Sequence, residues 1–286
     1  MINETVHNTG IAPCAPLLNC GLDRFASRHR PVSHGSPMAK PTSVYFFGTC
    51  LIDLLYPQVG LSAMRLLARE GIRVIFPQGQ TCCGQPAYNS GYREEARRVA
   101  RAQLDAFPEA LPLVVPSASC AGMLKVHYPA LFAGTPDAER AEALAARVLE
   151  LTDFLVRVLD YRPNDLGPPL KVAVHNSCSA RRELRVAPAT LELLGRLDGV
   201  EALEPDHATE CCGFGGTFAL KQPEISAAMA ADKAASIAAT GAGVLVGQDC
   251  GCLMNLGGTL ARQGQEIAVK HIAELLWERT GGNARP

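Results

Sequence analysis

Short apolar runs recur along the chain, each bounded by polar or glycine-bearing sequence. In the first half, Ser43 to Gly48 (S-V-Y-F-F-G), Arg73 to Phe76 and Leu113 to Val115 are continuous rather than alternating, the pattern of strands buried on both faces. Between them, Leu61, Met64, Leu67 and Ala68 fall at helical spacing within Val59 to Arg69, and Gly71 closes that helix. A charged helix from Arg93 to Phe107 is stopped by Pro108. The second half repeats the order: strands at Lys171 to His175, Val200 to Leu203 and Val244 to Val246, a helix at Ala189 to Leu197, and another opening near Pro223 and ending at Gly241.

Strands alternating with helices predict an α/β fold built on parallel sheets. A cysteine follows each strand or the loop after it, and the two halves keep step: Cys50 to Cys178 is 128 residues, Cys82 to Cys211 is 129, and Cys120 lies 130 from Cys250 and 132 from Cys252. Duplication is the simplest account of that spacing. The expected architecture is therefore two pseudo-symmetric units, 42–165 and 166–280, each with a mainly parallel sheet flanked by helices. Residues 1–41, rich in Pro, Ser, Asn, His and Arg and without a sustained period, are expected to form a flexible tail. Cys14 and Cys20 lie there, within reach of an extra metal site with His7, His29 or His34 only if the tail folds, and Met38 offers an alternative start just before the first strand.

Composition narrows the setting. Of 286 residues, 48% are hydrophobic, enough for one large core or two smaller ones, and a net charge of -1 gives no pull toward nucleic acid or an anionic membrane. No apolar stretch reaches spanning length, since Pro112 and Pro116 break one candidate and Asp232 and Lys233 another. The eleven cysteines are an odd number, too sparse for a disulfide scaffold, and no secretory start precedes them, so a cytoplasmic location is expected.

The cysteines carry the chemistry. Residues 82–86 read C-C-G-Q-P and residues 211–215 read C-C-G-F-G. Adjacent thiols make a poor stabilising disulfide, because bridging them closes almost no loop. Loops leaving neighbouring strands of one parallel sheet converge at its carboxyl rim, so Cys50, Cys82, Cys83 and Cys120 should gather at one rim, and Cys178, Cys211, Cys212, Cys250 and Cys252 at the other. Four or five thiolates suit an iron–sulfur cluster or a tetrahedral zinc.

Other residues are read both ways. His175 either orients a sulfur or relays a proton near Cys178, or is a packed or solvated strand-end side chain. Arg181, Arg182 and Arg185 either attract a carboxylate substrate or an acidic partner, or form a solvated face, as the charges of Arg93 to Arg101 should. Asp249 either accepts a hydrogen bond beside the second set or caps the helix that follows it. Gly213-Phe214-Gly215-Gly216 lacks the dinucleotide spacing and no Walker lysine follows a glycine loop, so neither NAD nor ATP is supported.

The stretches F-P-Q-G-Q-T-C-C-G-Q-P-A-Y-N-S-G-Y (76–92), P-S-A-S-C-A-G-M (116–123), E-C-C-G-F-G-G-T-F (210–218) and D-C-G-C-L-M-N-L-G-G (249–258) resemble the cysteine-rich CCG domain. That domain is shared by the cysteine-rich component of heterodisulfide reductase, the iron–sulfur subunits of glycolate and anaerobic glycerol-3-phosphate oxidation, and the lactate-utilisation A proteins, and the similarity is greatest to the last. It runs from Ser43 to about Glu278. The resemblance implies one or two iron–sulfur clusters per chain, of the 4Fe-4S kind, with ligand roles for Cys50, Cys82, Cys83, Cys120, Cys178, Cys211, Cys212, Cys250 and Cys252. In heterodisulfide reductase five cysteines hold each cluster and the last two are C-x-x-C. Here Met123 stands three residues after Cys120, and the second half has Cys250-Gly-Cys252.

The resemblance further implies an electron-transfer subunit of a complex that oxidises L-lactate to pyruvate, with B-type and C-type lactate-utilisation partners. A chain with cluster ligands and no evident hydride acceptor is not expected to oxidise a hydroxy acid alone. The ferredoxin-like C-x-x-C-x-x-C-x-x-x-C-P segment of the glycolate and glycerol-3-phosphate subunits is not found in this sequence, which favours lactate. Two alternatives stay open: a thiol–disulfide enzyme of the heterodisulfide-reductase type, and a zinc-bearing scaffold.

Overall fold

Eight short strands form two four-stranded, wholly parallel sheets in a computed structural model that describes residues 39–282. The possible metal site of Cys14, Cys20, His7, His29 and His34, the start at Met38 and most of the tail lie outside the described residues. The first sheet runs β2 (Arg73–Ile75), β1 (Ser43–Phe46), β3 (Leu113–Val115), β4 (Val148–Glu150); the second runs β6 (Val200–Leu203), β5 (Leu170–His175), β7 (Val244–Gly247), β8 (Ala268–His271). The order 2-1-3-4 is thus repeated in both halves, and the fold is α/β. The sequence pattern reveals three strands per half; the structure adds a fourth at one edge of each sheet. No helix among the described residues is long and apolar enough to cross a membrane.

Helices fill the crossovers. In the first half these are α1 (Cys50–Leu55), α2 (Pro57–Arg69), α3 (Gln85–Asn89), α4 (Arg93–Ala106), α5 (Ala118–Gly122), α6 (Tyr128–Phe132) and α7 (Ala138–Ala146), with a wide π turn, Met123–His127, joining α5 to α6. α8 (Leu151–Asp153) leads out of the first sheet. The second half has α9 (Ala187–Gly195), α10 (Phe218–Lys221), α11 (Pro223–Ala238), α12 (Cys250–Arg262) and α13 (Ile272–Arg279).

Strand alternation explains how the halves meet. Val44 and Phe46 point one way from β1 and Val172 and Val174 the same way from β5, and all four enter one core with Leu66, Phe154, Leu193 and Ile272. The intervening residues point outward into a core private to each half: Tyr45 and Phe47 pack with Phe107 and Phe132, and Ala173 packs with Ile237 and Leu256. Each half also lends the other a helix, since α13 packs on α2 while α8 packs on α9. Both sheets consequently present their carboxyl rims to one region.

A buried acid sits where the first sheet ends. Glu150 is 2% exposed, and its Oε2 accepts from the Thr152 and Asp153 amides and the Thr152 hydroxyl, while Oε1 has no partner among the described residues. Burial raises its pKa from 4.5 to about 8, against the opposing pull of those hydrogen bonds. Between those values the unfolded chain has released a proton that the folded chain keeps, so stability falls as pH rises, by about 1.4 kcal/mol per unit from this group. Glu150→Gln, which keeps the accepting oxygen, is expected to flatten that slope between pH 5 and 8 in denaturant midpoints measured across pH.

Candidate functional site

Every thiol of the repeated pattern lies beyond the carboxyl end of a strand, as parallel topology requires. In the first half, Cys50 opens α1 behind the N-cap Thr49, Cys82 and Cys83 sit in the loop after β2, and Cys120 lies in the first turn of α5 behind the N-cap Ser117. Their sulfurs are in contact: Cys50 Sγ is 3.7 Å from Cys82 Sγ, and Cys83 Sγ is 3.5 Å from Cys120 Sγ. The second half repeats the arrangement: the free thiol of Cys211 lies beside those of Cys178 and Cys212, and Cys212 beside Cys252. Within each set the inner thiols, Cys83 and Cys120 or Cys212 and Cys252, are buried, and the outer ones are at least partly open.

The glycine after each pair has a definite task. Gly84 and Gly213 adopt φ of 84° and 80°, the left-handed region that side chains resist. That turn aims each glycine N–H at the sulfur two residues back, 3.4 Å from Cys82 Sγ and 3.4 Å from Cys211 Sγ. A Cβ on Gly213 would stand 2.5 Å from the Ser226 carbonyl oxygen, and one on Gly84 would stand 3.2 Å from that of Ala96. The carbonyl of the second cysteine is also held in both halves, by the Tyr128 hydroxyl on Cys83 and the Asn255 amide on Cys212. Tyr128 carries no local sequence signal; Asn255 follows Cys252 at i+3, a spacing that could have drawn notice.

Thiol acidity divides along the pairs. Hydrogen bonds from Cys50 and Cys83 draw the Cys82 pKa down to about 3, and those from Cys178 and Cys212 draw Cys211 down further still. Their donors move the other way: Cys50 and Cys178 are raised, first by donating to the neighbouring thiolate and then by burial. Each set therefore presents one ready thiolate whose negative charge is already supported by backbone N–H groups.

Cys250 and Cys252 part company. Both are in the first turn of α12, but Cys252 holds the third helical position, as Cys120 does in α5, whereas Cys250 holds the first, matching Ala118. The Cys250 thiol packs with Ile52 and Val59 of the first half, and burial raises its pKa. The structural counterpart of Cys120 is thus Cys252, 132 residues on, and Cys250 stands aside from the chain of touching sulfurs.

His175 is packed rather than solvated. It is 2% exposed, neither ring nitrogen has a partner among the described residues, and one nitrogen with the sulfurs of Cys212 and Cys252 forms a group whose atoms lie within 4.8 Å of one another. Burial, and then the charge of Lys233, lowers its pKa to about 3. Arg182 and Arg185 are exposed, as a solvated face should be, but Arg181 is half-buried, bonds Glu204 at 2.8 Å and has a buried Nε with no partner among the described residues.

Asp249 does not bond to its own helix. Its Oδ1 crosses to the other half, accepting from the Ser117 hydroxyl at 2.7 Å, the Ser119 amide at 3.0 Å and the Ser119 hydroxyl at 2.7 Å. Ser117 and Asp249 are the equivalent N-caps of α5 and α12, so the halves are clasped at matching positions. Asp249→Ala would strand three donors in a buried seam and is expected to cost about 2–3 kcal/mol in chemical denaturation, with Asp249→Asn recovering part of the loss.

The two sets face a single cleft of about 410 Å³, lined by all eight paired-set cysteines with Asp249, Glu183 and Phe214. Thr217, on the wall of this cleft, meets Ser90 at the end of α3 at 2.9 Å. Four sulfurs per set, one held toward the thiolate, with a glycine amide aimed at it and, beside the second set alone, a buried imidazole without a hydrogen-bond partner among the described residues, fit a sulfur-ligated metal centre.

Duplicated parallel sheets with a four-thiol set at each rim define a two-fold cysteine-rich protein. Residues 44–125 and 172–257 each match the family described as CCG, cysteine-rich domain. The chain is 47% identical over 237 residues to "Lactate utilization protein A" of Shouchella clausii, spanning 82% of this chain and 98% of that one. It is 48% identical over 236 residues to the protein of that name from Geobacillus kaustophilus, again spanning 82% and 98%. The chain belongs to the lactate utilization protein A family. A crystal structure of a hypothetical protein from Helicobacter pylori shares the fold, with a TM-score of 0.60 at 10% identity over 84% of this chain and 49% of that one.

Proposed function

We propose that this chain is the iron–sulfur electron-transfer subunit of a complex that oxidises L-lactate to pyruvate, working with B-type and C-type lactate-utilisation subunits. The observation that carries the reading is the pair of four-thiol sets, each with adjacent cysteines, opening on one cleft. Cys50, Cys82, Cys83 and Cys120 would hold one cluster and Cys178, Cys211, Cys212 and Cys252 the other. A bound 4Fe-4S cluster supplies one-electron storage at each set. The chain's own residues do the rest. Gly84 and Gly213 donate to the outer thiolates, Ser117, Ser119 and Asp249 fix the two rims against each other, and the apolar faces behind Cys83, Cys120, Cys212 and Cys252 limit water.

The names of the relatives support lactate as the fuel. The test is optical. Protein loaded with iron and sulfide and mixed with the partner subunits is expected to bleach on addition of L-lactate, and not when the partners are left out. Bleaching by lactate without partners would contradict the assignment as a receiving subunit. The shared cleft also admits a small disulfide, so cleavage of such a compound by the reduced chain alone would instead favour a thiol–disulfide enzyme.

A further inference from the structure

The two cysteine sets are alike in their sulfurs and unlike in what stands behind them. Helices α4 and α11 correspond at an offset of 130: the buried positions Ala96, Ala100, Gln103 and Leu104 match Ser226, Ala230, Lys233 and Ala234, and the carbonyls of Ala96 and Ser226 crowd Gly84 and Gly213 alike. Lys233 therefore takes the place of Gln103. At the offset of the first cysteines, His175 takes the place of Phe47, which packs among Cys83 and Cys120, and Arg181 takes the place of Asp53.

Two of the differences, Lys233 and Arg181, add a cation, and the third puts a neutral imidazole, able to donate an N–H to sulfur, where the first half has a phenyl ring. Lys233 is 1% exposed, and among the described residues its ammonium has one partner, the His207 carbonyl at 2.8 Å. Gln103 is neutral, and both ends of its amide are used on Thr81. Arg181 keeps a buried Nε that has no partner among the described residues, and its charge reaches His175. His175 brings an imidazole to Cys212 and Cys252 where the first set meets a phenyl ring. Glu204 pairs with Arg181 at the surface and offsets part of its charge, and Glu210 pairs with His207, while Lys233 has no acid in ion-pair contact among the described residues. Asp249 faces the second set but also bonds the Ser119 amide next to Cys120, so it stands beside both.

We propose that the second set, Cys178, Cys211, Cys212 and Cys252, is the electron sink of the chain, made so by Lys233, Arg181 and His175. The inference rests on the cluster-bearing reading above. An electron gained at the second set would add one negative charge there, and a cation buried nearby, as Lys233 is to Cys212, favours such a charge far more than it would in water. Hydrogen bonds to sulfur and net local charge are recognised levers on such potentials. With a cluster held by each set, an electron gained by the second would be the one given up by the first, so the exchange would balance without a further reactant.

The experiment is a dithionite redox titration followed by electron paramagnetic resonance on the full chain reconstituted with iron and sulfide. Two forms, Cys82→Ser with Cys83→Ser and Cys211→Ser with Cys212→Ser, assign each signal to a set. The signal of the second set is expected to titrate at the higher potential. Lys233→Gln, which installs the first-half residue, is expected to move that signal downward and leave the other in place. Should Lys233→Gln fail to fold, the more open Arg181→Gln is expected to shift the same signal in the same direction. Clusters present in both sets, with the second reduced at an equal or lower potential, or unmoved by these substitutions, overturn the proposal alone. A chain that takes up no cluster overturns it together with the function proposed above.

Discussion

Cys82→Ser combined with Cys83→Ser is expected to lower iron and acid-labile sulfide to about half the wild-type content, and adding Cys211→Ser with Cys212→Ser is expected to abolish both. The argument is geometric. Neighbouring sulfurs run from Cys50 through Cys82 and Cys83 to Cys120, and separately from Cys178 through Cys211 and Cys212 to Cys252, so losing the central pair of one set should leave the other intact. The fold should survive, because the two sheets share a core built from Val44, Phe46, Val172 and Val174 rather than from the thiols. Metal analysis of each variant beside circular dichroism checks both halves of the statement. Complete loss from the first double variant would mean that one centre bridges the cleft.

Arg279→Ala is expected to cost about 3–5 kcal/mol, read as a shift in the denaturant midpoint. Arg279 ends α13 at 5% exposure, and its guanidinium bonds the Asp165 carboxylate at 2.6 Å together with the carbonyls of Gly167 and Pro168. Asp165 in turn accepts from the amides of Gly167 and Gly199. The segment between the two sheets is thereby tied to the helix that the second half lays on α2. Truncation would leave Asp165 buried without its cation, and the penalty belongs mainly to that uncompensated charge. Arg279→Lys is expected to recover little, since an ammonium cannot reproduce the planar fork that reaches a carboxylate and two carbonyls at once.

Much of this was legible in the sequence, for physical reasons. Strands β1, β3, β5 and β7 are interior to their sheets, so their residues form continuous apolar runs, and cysteines are rare enough that a 128-to-132-residue offset stands out. β4 (V-L-E) and β8 (A-V-K-H) lie at sheet edges, too short and too polar to announce themselves, and only their neighbours' ladders define them. Spacing could not choose between Cys250 and Cys252, because the choice depends on position within the first helical turn. Nor could it show that Asp249 serves the opposite half, since a bond between residues 117 and 249 leaves no local pattern. His175 was visible as a strand-end histidine; its burial beside Cys212 and Cys252 depends on the sheet's alternation and on the return of α12 to the same rim.

The measurement that tests the account most directly is the iron, sulfide and zinc content of protein purified without oxygen, taken with its visible spectrum. The account predicts brown protein with iron and sulfide in equal amounts and no stoichiometric zinc. Colourless protein holding zinc that anaerobic reconstitution with iron and sulfide does not displace would contradict it, and would leave the two cysteine sets as structural metal sites.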